Sequence, residues 1–223
     1  MADKHDRSKP HRHALPLLPS GSELIPTSNR KAVQSRTADR FVSVKAAAPI
    51  PARHPALQDA LIQASLDPAV RSIGYIATAA VASKQIDLCA IVVQRDEGRF
   101  FLDVVPARPI RDLEDEGLSL IALGELGLKP WIISGPDLLR EPRCTNARYV
   151  WLYNRHRVSR ETRRRILRAL HKRSMQLGEL ERHVRSDRDP SADVMALVCA
   201  GELELDLTSR PIQLTTIVKS RMR

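Results

Sequence analysis

The feature that most constrains this chain is a block of three apolar, β-like runs between residues 72 and 106: SIGYIATAAV, QIDLCAIVVQR and RFFLDVVP. The second and third are separated by Asp96-Glu97-Gly98, an acidic turn closed by glycine, which predicts a hairpin. A helix is predicted on each side of the block. The first starts near Pro55, a favoured first-turn residue, and its Leu57, Leu61 and Ala64 fall on one face before DPAV breaks it. The second runs from about Asp112 to Leu126, with Asp112, Glu114, Asp115 and Glu116 in the first turn, where the helix dipole favours negative charge. Gly127 stops it, and KPWIISG then reads as a buried strand. The order helix, three strands, helix, strand predicts a small α/β domain over residues 54–150.

The flanks differ. Residues 1–53 are rich in Pro, Ser, Ala, Arg and Lys without apolar periodicity, so the expectation is a basic, largely disordered lead-in. Residues 151–223 hold RETRRRILRALHKRS, a basic helix with an Ile166, Leu167 and Leu170 stripe, then two shorter helices, MQLGELERHV and DPSADVMALVCAG. ELELDLTSRPIQLTTIV follows, alternating about a turn at Ser209-Arg210-Pro211. Three helices and a hairpin predict a winged-helix domain whose third helix enters a major groove. The fold class expected is thus α/β, a small sheet with flanking helices, followed by a winged-helix C-terminal domain.

Charge follows the same division. The formal net charge is +10, made of +6 over residues 1–53, −3 over 54–150 and +7 over 151–223. An acidic body between basic ends points to an anionic partner, DNA or RNA. From Arg155 to Arg173 there are nine basic residues and one acidic one, so this is not the sign-alternating face of a solvated helix. Arg160, Arg163, Arg164, Arg165, Arg168, Lys172 and Arg173 are candidate phosphate contacts, with Arg185, Arg188 and Arg210 extending the surface to the next turn and the wing tip. No signal peptide and no bilayer-length apolar run is visible, so a cytoplasmic location without a membrane partner is expected. Cys89, Cys144 and Cys199 are odd in number and far apart, which argues against a disulfide framework or a zinc ribbon. Cys89 and Cys199, inside apolar runs, read as packed thiols, and Cys144 as the more exposed one. Trp131 and Trp151 read as core anchors.

Two carboxylates stand inside the β block, Asp87 and Asp103, on strands expected to be neighbours. An ionised carboxylate in an apolar strand is costly unless it is paired, hydrogen-bonded or on a metal. Two on adjacent strands form the pattern that metal-dependent nucleases use to hold Mg²⁺.

At this point the residues resemble the TnsA-type transposon endonucleases of the PD-(D/E)xK nuclease superfamily. HPALQDALIQASLDPAVRSI is similar to that family's ESxLERD helix and DPxV turn. Ile86-Asp87-Leu88 stands where the family has a PDF-like strand, and Asp103-Val104-Val105-Pro106 where it has an EVKP-like one. GLKPWIISGPDLLR, NARYVWLYNR and ALVCAGELELDLTSRPIQLTTIV resemble its next strand, its Asn-led helix and its winged-helix module, so the likeness covers roughly residues 30–220. It implies a restriction-endonuclease-like mixed sheet with flanking helices, DNA as substrate, Mg²⁺ as cofactor if the site is active, and a transposase subunit and an ATPase regulator as partners.

The departures fall on the chemistry. Gln58 stands where the family has its helix Glu, Asp103 replaces Glu, and Val105 replaces the catalytic Lys. Asp87 and Asp103 are the remaining candidate catalytic and metal-binding residues, and Lys84 is a possible replacement cation. The expectation is a DNA-binding protein of nuclease-like fold, a component or regulator of a transposition-type assembly, with cleavage lost or weak. The alternatives are an active Mg²⁺-dependent endonuclease cutting at transposon ends, with Lys84 as its cation, and a non-enzymatic protein-interaction module.

Overall fold

A computed structural model describes residues 40–184 and 189–221. The first helix, α1 (Pro55–Leu66), begins where His54 Nδ1 accepts from the Ala56 N–H and proline occupies the first turn. Next come β3 (Val70–Val81), β4 (Lys84–Arg95) and β5 (Gly98–Val104), a meander of antiparallel strands. The predicted hairpin is present: Arg95 pairs with Gly98, whose φ of 138° lies beyond the reach of other residues. Helix α2 (Leu113–Glu125) is capped by Asp112, which accepts from Asp115 N, and it leads back to β6 (Lys129–Ile133), parallel to β5. The result is a four-stranded mixed sheet in the order β3-β4-β5-β6.

Strand alternation divides this sheet between two cores. Ile91, Val93, Leu102 and Val104 pack with Ala60, Leu61 and Ala64 of α1. Ile86, Leu88, Ala90 and Val92 pack with Ala122 and Leu123 of α2. The helices therefore cover opposite faces. Midway along β4 the pairing slips by one residue between Ile76 and Thr78, and Cys89 sits there at φ 51°.

Residues 40–53 are ordered more than their composition predicts. β1 (Arg40–Phe41) pairs with β2 (Ile50–Pro51), and Phe41 stacks on Trp151 with ring centroids 5.1 Å apart. Buried Phe41, Ile50 and Ala52, with Ile73 N donating to the Lys45 carbonyl and Lys45 Nζ to the Asp67 carbonyl, fix this short arm. The rest of the lead-in, residues 1–39, lies outside the described residues.

The C-terminal third runs through α3 (Gly135–Leu138), α4 (Arg143–Trp151), α5 (Arg160–Leu170), β7 (Met175–Gln176), α6 (Leu177–His183), α7 (Pro190–Cys199), β8 (Leu203–Leu205) and β9 (Ile217–Ser220). Its three strands form an antiparallel sheet in the order β7-β9-β8. The core joins Ile166 and Leu170 of α5 to Leu180, Val194, Met195, Leu203 and Val218, and takes in Ala147 and Val150 of α4 and Leu66 of α1. Helix α4 thus belongs to both halves, and Arg148 fastens it to α1 through two bonds to Asp59, at 3.0 and 2.6 Å.

Two expectations for this region are corrected. β8 and β9 are not joined by a tight turn at Ser209-Arg210-Pro211. The connection runs from Asp206 to Thr216, and Asn146 of α4 pins it by donating to the carbonyls of Leu207 and Arg210 and accepting from Ile212 N. The third helix is not free to enter a groove: every residue of α7 from Ala192 to Cys199 is buried. A helix that is apolar on nearly all sides, its one charged side chain Asp193 paired with His156 at 2.8 Å, belongs inside a core. Among the described residues no helix is long and apolar enough to cross a membrane.

Candidate nucleic-acid interface

The exposed cations of α5 are ordered by its helical repeat. Ser159 caps the helix by accepting from Thr162 N, and Ile166 and Leu170 turn one side into the core. Arg160, Arg164 and Arg168, at i, i+4 and i+8, then share the outer side, about 12 Å of helix at 1.5 Å per residue. All three are exposed, and among the described residues the one carboxylate within 4 Å of any of them is Glu161, 3.9 Å from Arg164. Lys172, two residues beyond the helix, is also exposed and has no ion pair among the described residues.

The other candidate cations are engaged or lie elsewhere. Arg163 donates to Glu202 at 2.6 Å, Arg165 to Glu161 at 2.9 Å and Arg173 to Glu179 at 2.5 Å. Arg210 sits on the long loop pinned to α4, where it lines a cleft with Arg143 and Lys219. Arg185 and Arg188 lie outside the described residues. Among the described residues, the candidate cations that are exposed and not held in a close ion pair are Arg160, Arg164, Arg168 and Lys172.

The carboxylate site does not assemble. Ile86 and Leu88, on either side of Asp87, pack toward α2, so alternation turns Asp87 away from α2. Leu102 and Val104, on either side of Asp103, pack toward α1, so Asp103 points to the α2 side. The two carboxylates leave the sheet on opposite faces. Asp103 is held there by Arg108, which donates Nε to Oδ1 at 2.7 Å and Nη2 to Oδ2 at 2.6 Å. Sequence reasoning missed this arginine, although Pro106 between the two residues signals a chain reversal that could bring them together.

The remaining candidates are dispersed as well. Gln58 donates Nε2 to the Ala52 carbonyl at 2.8 Å and lines a groove of about 410 Å³ with Phe41 and Trp151. Lys84 pairs with Glu114 at 2.9 Å and stands 3.9 Å from Asp115, at the first turn of α2. Val105 is partly exposed in a 3₁₀ turn beyond β5. A Mg²⁺ ion needs several oxygens converging within about 2.1 Å. These residues do not fit one, and among the described residues no group of three or more His, Cys, Asp or Glu side chains converges.

The cysteines reverse their expected order. Cys144, on the inner side of α4, is buried, whereas Cys89 is exposed at the irregular point of β4. Cys199 is buried as read, its thiol donating to the Val150 carbonyl at 3.3 Å, and burial pushes it up to about 12. Trp151 carries the stacked Phe41, and Trp131 lies beneath the Arg95 guanidinium, 4.5 Å from its ring centroid.

No protein-family model matches this chain, and no curated protein sequence matches it either.

Proposed function

We propose that this protein binds duplex DNA through the outer side of α5 and does not cleave it. The observation that carries this reading is the row Arg160, Arg164 and Arg168, exposed on one side of α5 with Lys172 just beyond it, and with Glu161, shared with Arg165, as the one carboxylate within 4 Å among the described residues. Guanidinium forks match phosphate oxygens, and a row of them gives affinity without sequence information. The burial of α7 favours the same surface, since the helix that usually reads the major groove in such modules is enclosed by α4 and α5.

The element order supports the architecture behind the reading. Helix, three antiparallel strands, helix and a parallel strand is the order expected of a restriction-endonuclease-like core. Helix, strand, two helices and two strands, with the sheet order β7-β9-β8, is the order expected of a winged helix. On this reading the protein is a TnsA-like component or regulator of a transposition-type assembly, with a transposase subunit and an ATPase regulator as partners. Opposed carboxylates, a neutral Gln58 and a hydrocarbon at Val105 favour loss of cleavage.

Supercoiled plasmid incubated with the protein and Mg²⁺ or Mn²⁺ tests both halves. The expected outcome is a retarded but unnicked plasmid. Robust Mg²⁺-dependent nicking that disappears on Asp87→Ala contradicts the non-cleaving reading, and no retardation at low salt contradicts the binding one.

A further inference from the structure

Helix α2 has two apolar sides. Its inner side, Leu118, Ser119, Ala122 and Leu123, packs on the sheet. On the outer side, where a surface helix carries charge, stand Leu113, Gly117, Leu120, Ile121 and Gly124, at i, i+4, i+7, i+8 and i+11. Leu113 is 91% exposed, Leu120 56% and Ile121 50%, and Ile110, just ahead of the helix, is fully exposed. The acidic residues of the helix are confined to its first turn and its last residue.

The two glycines are a second, independent observation. Glycine is the poorest helix former after proline, yet two stand inside this helix. A Cβ added at Gly117 or at Gly124 would meet, beyond the helix's own backbone, no atom of the described residues within 4 Å, so no packing among them requires either. Notches of this kind serve close approach by another backbone.

We propose that the outer side of α2 is a twofold interface between two copies of this chain. A second copy is singled out by the sequence of the stripe, which is palindromic in kind. Its residues Gly117, Leu120, Ile121 and Gly124 read glycine, apolar, apolar, glycine at the same spacing in either direction. A twofold interface must match itself, and antiparallel pairing centred between Leu120 and Ile121 sets Gly117 of one copy against Gly124 of the other. Leu120 and Ile121 then meet across the axis. The same pairing brings the acidic first turn of one copy toward the far end of its partner's helix, where Lys129 is exposed and has no ion pair among the described residues. Of the acidic groups on the flanks, Glu114 is already held by Lys84 and Glu116 by Arg111, while Glu125 stays at the rim.

A single helix pair is a small interface, so a dimer in the micromolar range is expected. Sedimentation velocity on the full chain, from low to high micromolar concentration, reads this directly. The wild type should shift from monomer to dimer. Leu120→Glu with Ile121→Glu should stay monomeric throughout, because both side chains are exposed in the monomer. Gly117→Ala with Gly124→Ala should raise the melting temperature of the dilute monomer while weakening the dimer by about tenfold or more, since helix separation follows the side chains at the contact. A wild type that remains monomeric at the highest concentration overturns the proposal. So does a dimer that survives the glutamate pair, and, should that variant not fold, a dimer unaffected by the alanine pair.

Discussion

Asp103 and Arg108 form a two-bonded ion pair, with Nε and Nη2 of the arginine 2.7 and 2.6 Å from the two carboxylate oxygens. Asp103 is mostly enclosed and Arg108 half exposed, so the pair occupies both carboxylate oxygens without a deeply buried charge. A carboxylate bound in this way has its charge matched and one lone pair of each oxygen already engaged, which weakens what it offers a cation.

That arrangement makes a repair experiment informative. Gln58→Glu combined with Val105→Lys restores two family-like residue types, yet it leaves Asp87 and Asp103 on opposite faces. No Mg²⁺-dependent nicking is expected from the double variant, because catalytic groups must be placed to within about 1 Å. Nicking by that variant would show that the carboxylates converge.

The thiols should separate by reactivity. In the native protein an aromatic disulfide reagent should modify only Cys89, and all three cysteines once guanidinium is added. Cys144 and Cys199 are buried and their thiols are raised by desolvation, so neither access nor thiolate is available. Modification of more than one thiol per native chain contradicts the packing of α4 against α7.

Lys45 predicts a pH signature. Its ammonium donates to the Asp67 carbonyl at 2.6 Å, and burial, reinforced by the nearby Arg221, lowers it to about 8. A lysine lowered in the folded state binds its proton less tightly than in the unfolded chain. Its unfavourable contribution is present in full below about pH 8 and is relieved as pH rises from there toward 10.5. Stability from urea titrations should therefore rise over that interval, and Lys45→Met should flatten the rise. An identical slope in both proteins contradicts the burial of this amine.

The C-terminal core gives a packing prediction. Ile166 is fully buried between α5 and the small sheet, and Ile166→Ala should cost about 2–5 kcal/mol in chemical denaturation. A cost below about 1 kcal/mol would mean that α5 is not docked as described.

The local features carrying a strong chemical signal were legible in the sequence. Pro55, Asp112 and Pro190 mark helix starts, Gly127 at φ 65° marks a stop, and Asp96-Glu97-Gly98 marks the hairpin. What stayed hidden depends on long-range pairing. β7 is too short to show a period, and Asn146 holds residues 206–216 from another helix altogether. In the carboxylate site the residue types were legible but not their directions, which follow from which helix covers which face. The unbroken apolar run over residues 194–199 of α7 was itself a burial signal, and positional analogy to a reading helix obscured it.

The most direct test of the central claim is duplex affinity measured by fluorescence anisotropy over a series of salt concentrations, for the wild type and for Arg160→Ala, Arg164→Ala, Arg168→Ala combined. Each phosphate contact contributes about −0.9 to the slope of log affinity against log salt. The wild type should bind with a steep slope. The triple variant should bind more weakly on every sequence, with a slope shallower by about 2–3. Equal affinity and equal slope for the two proteins would contradict the assignment of α5 as the DNA-contacting surface.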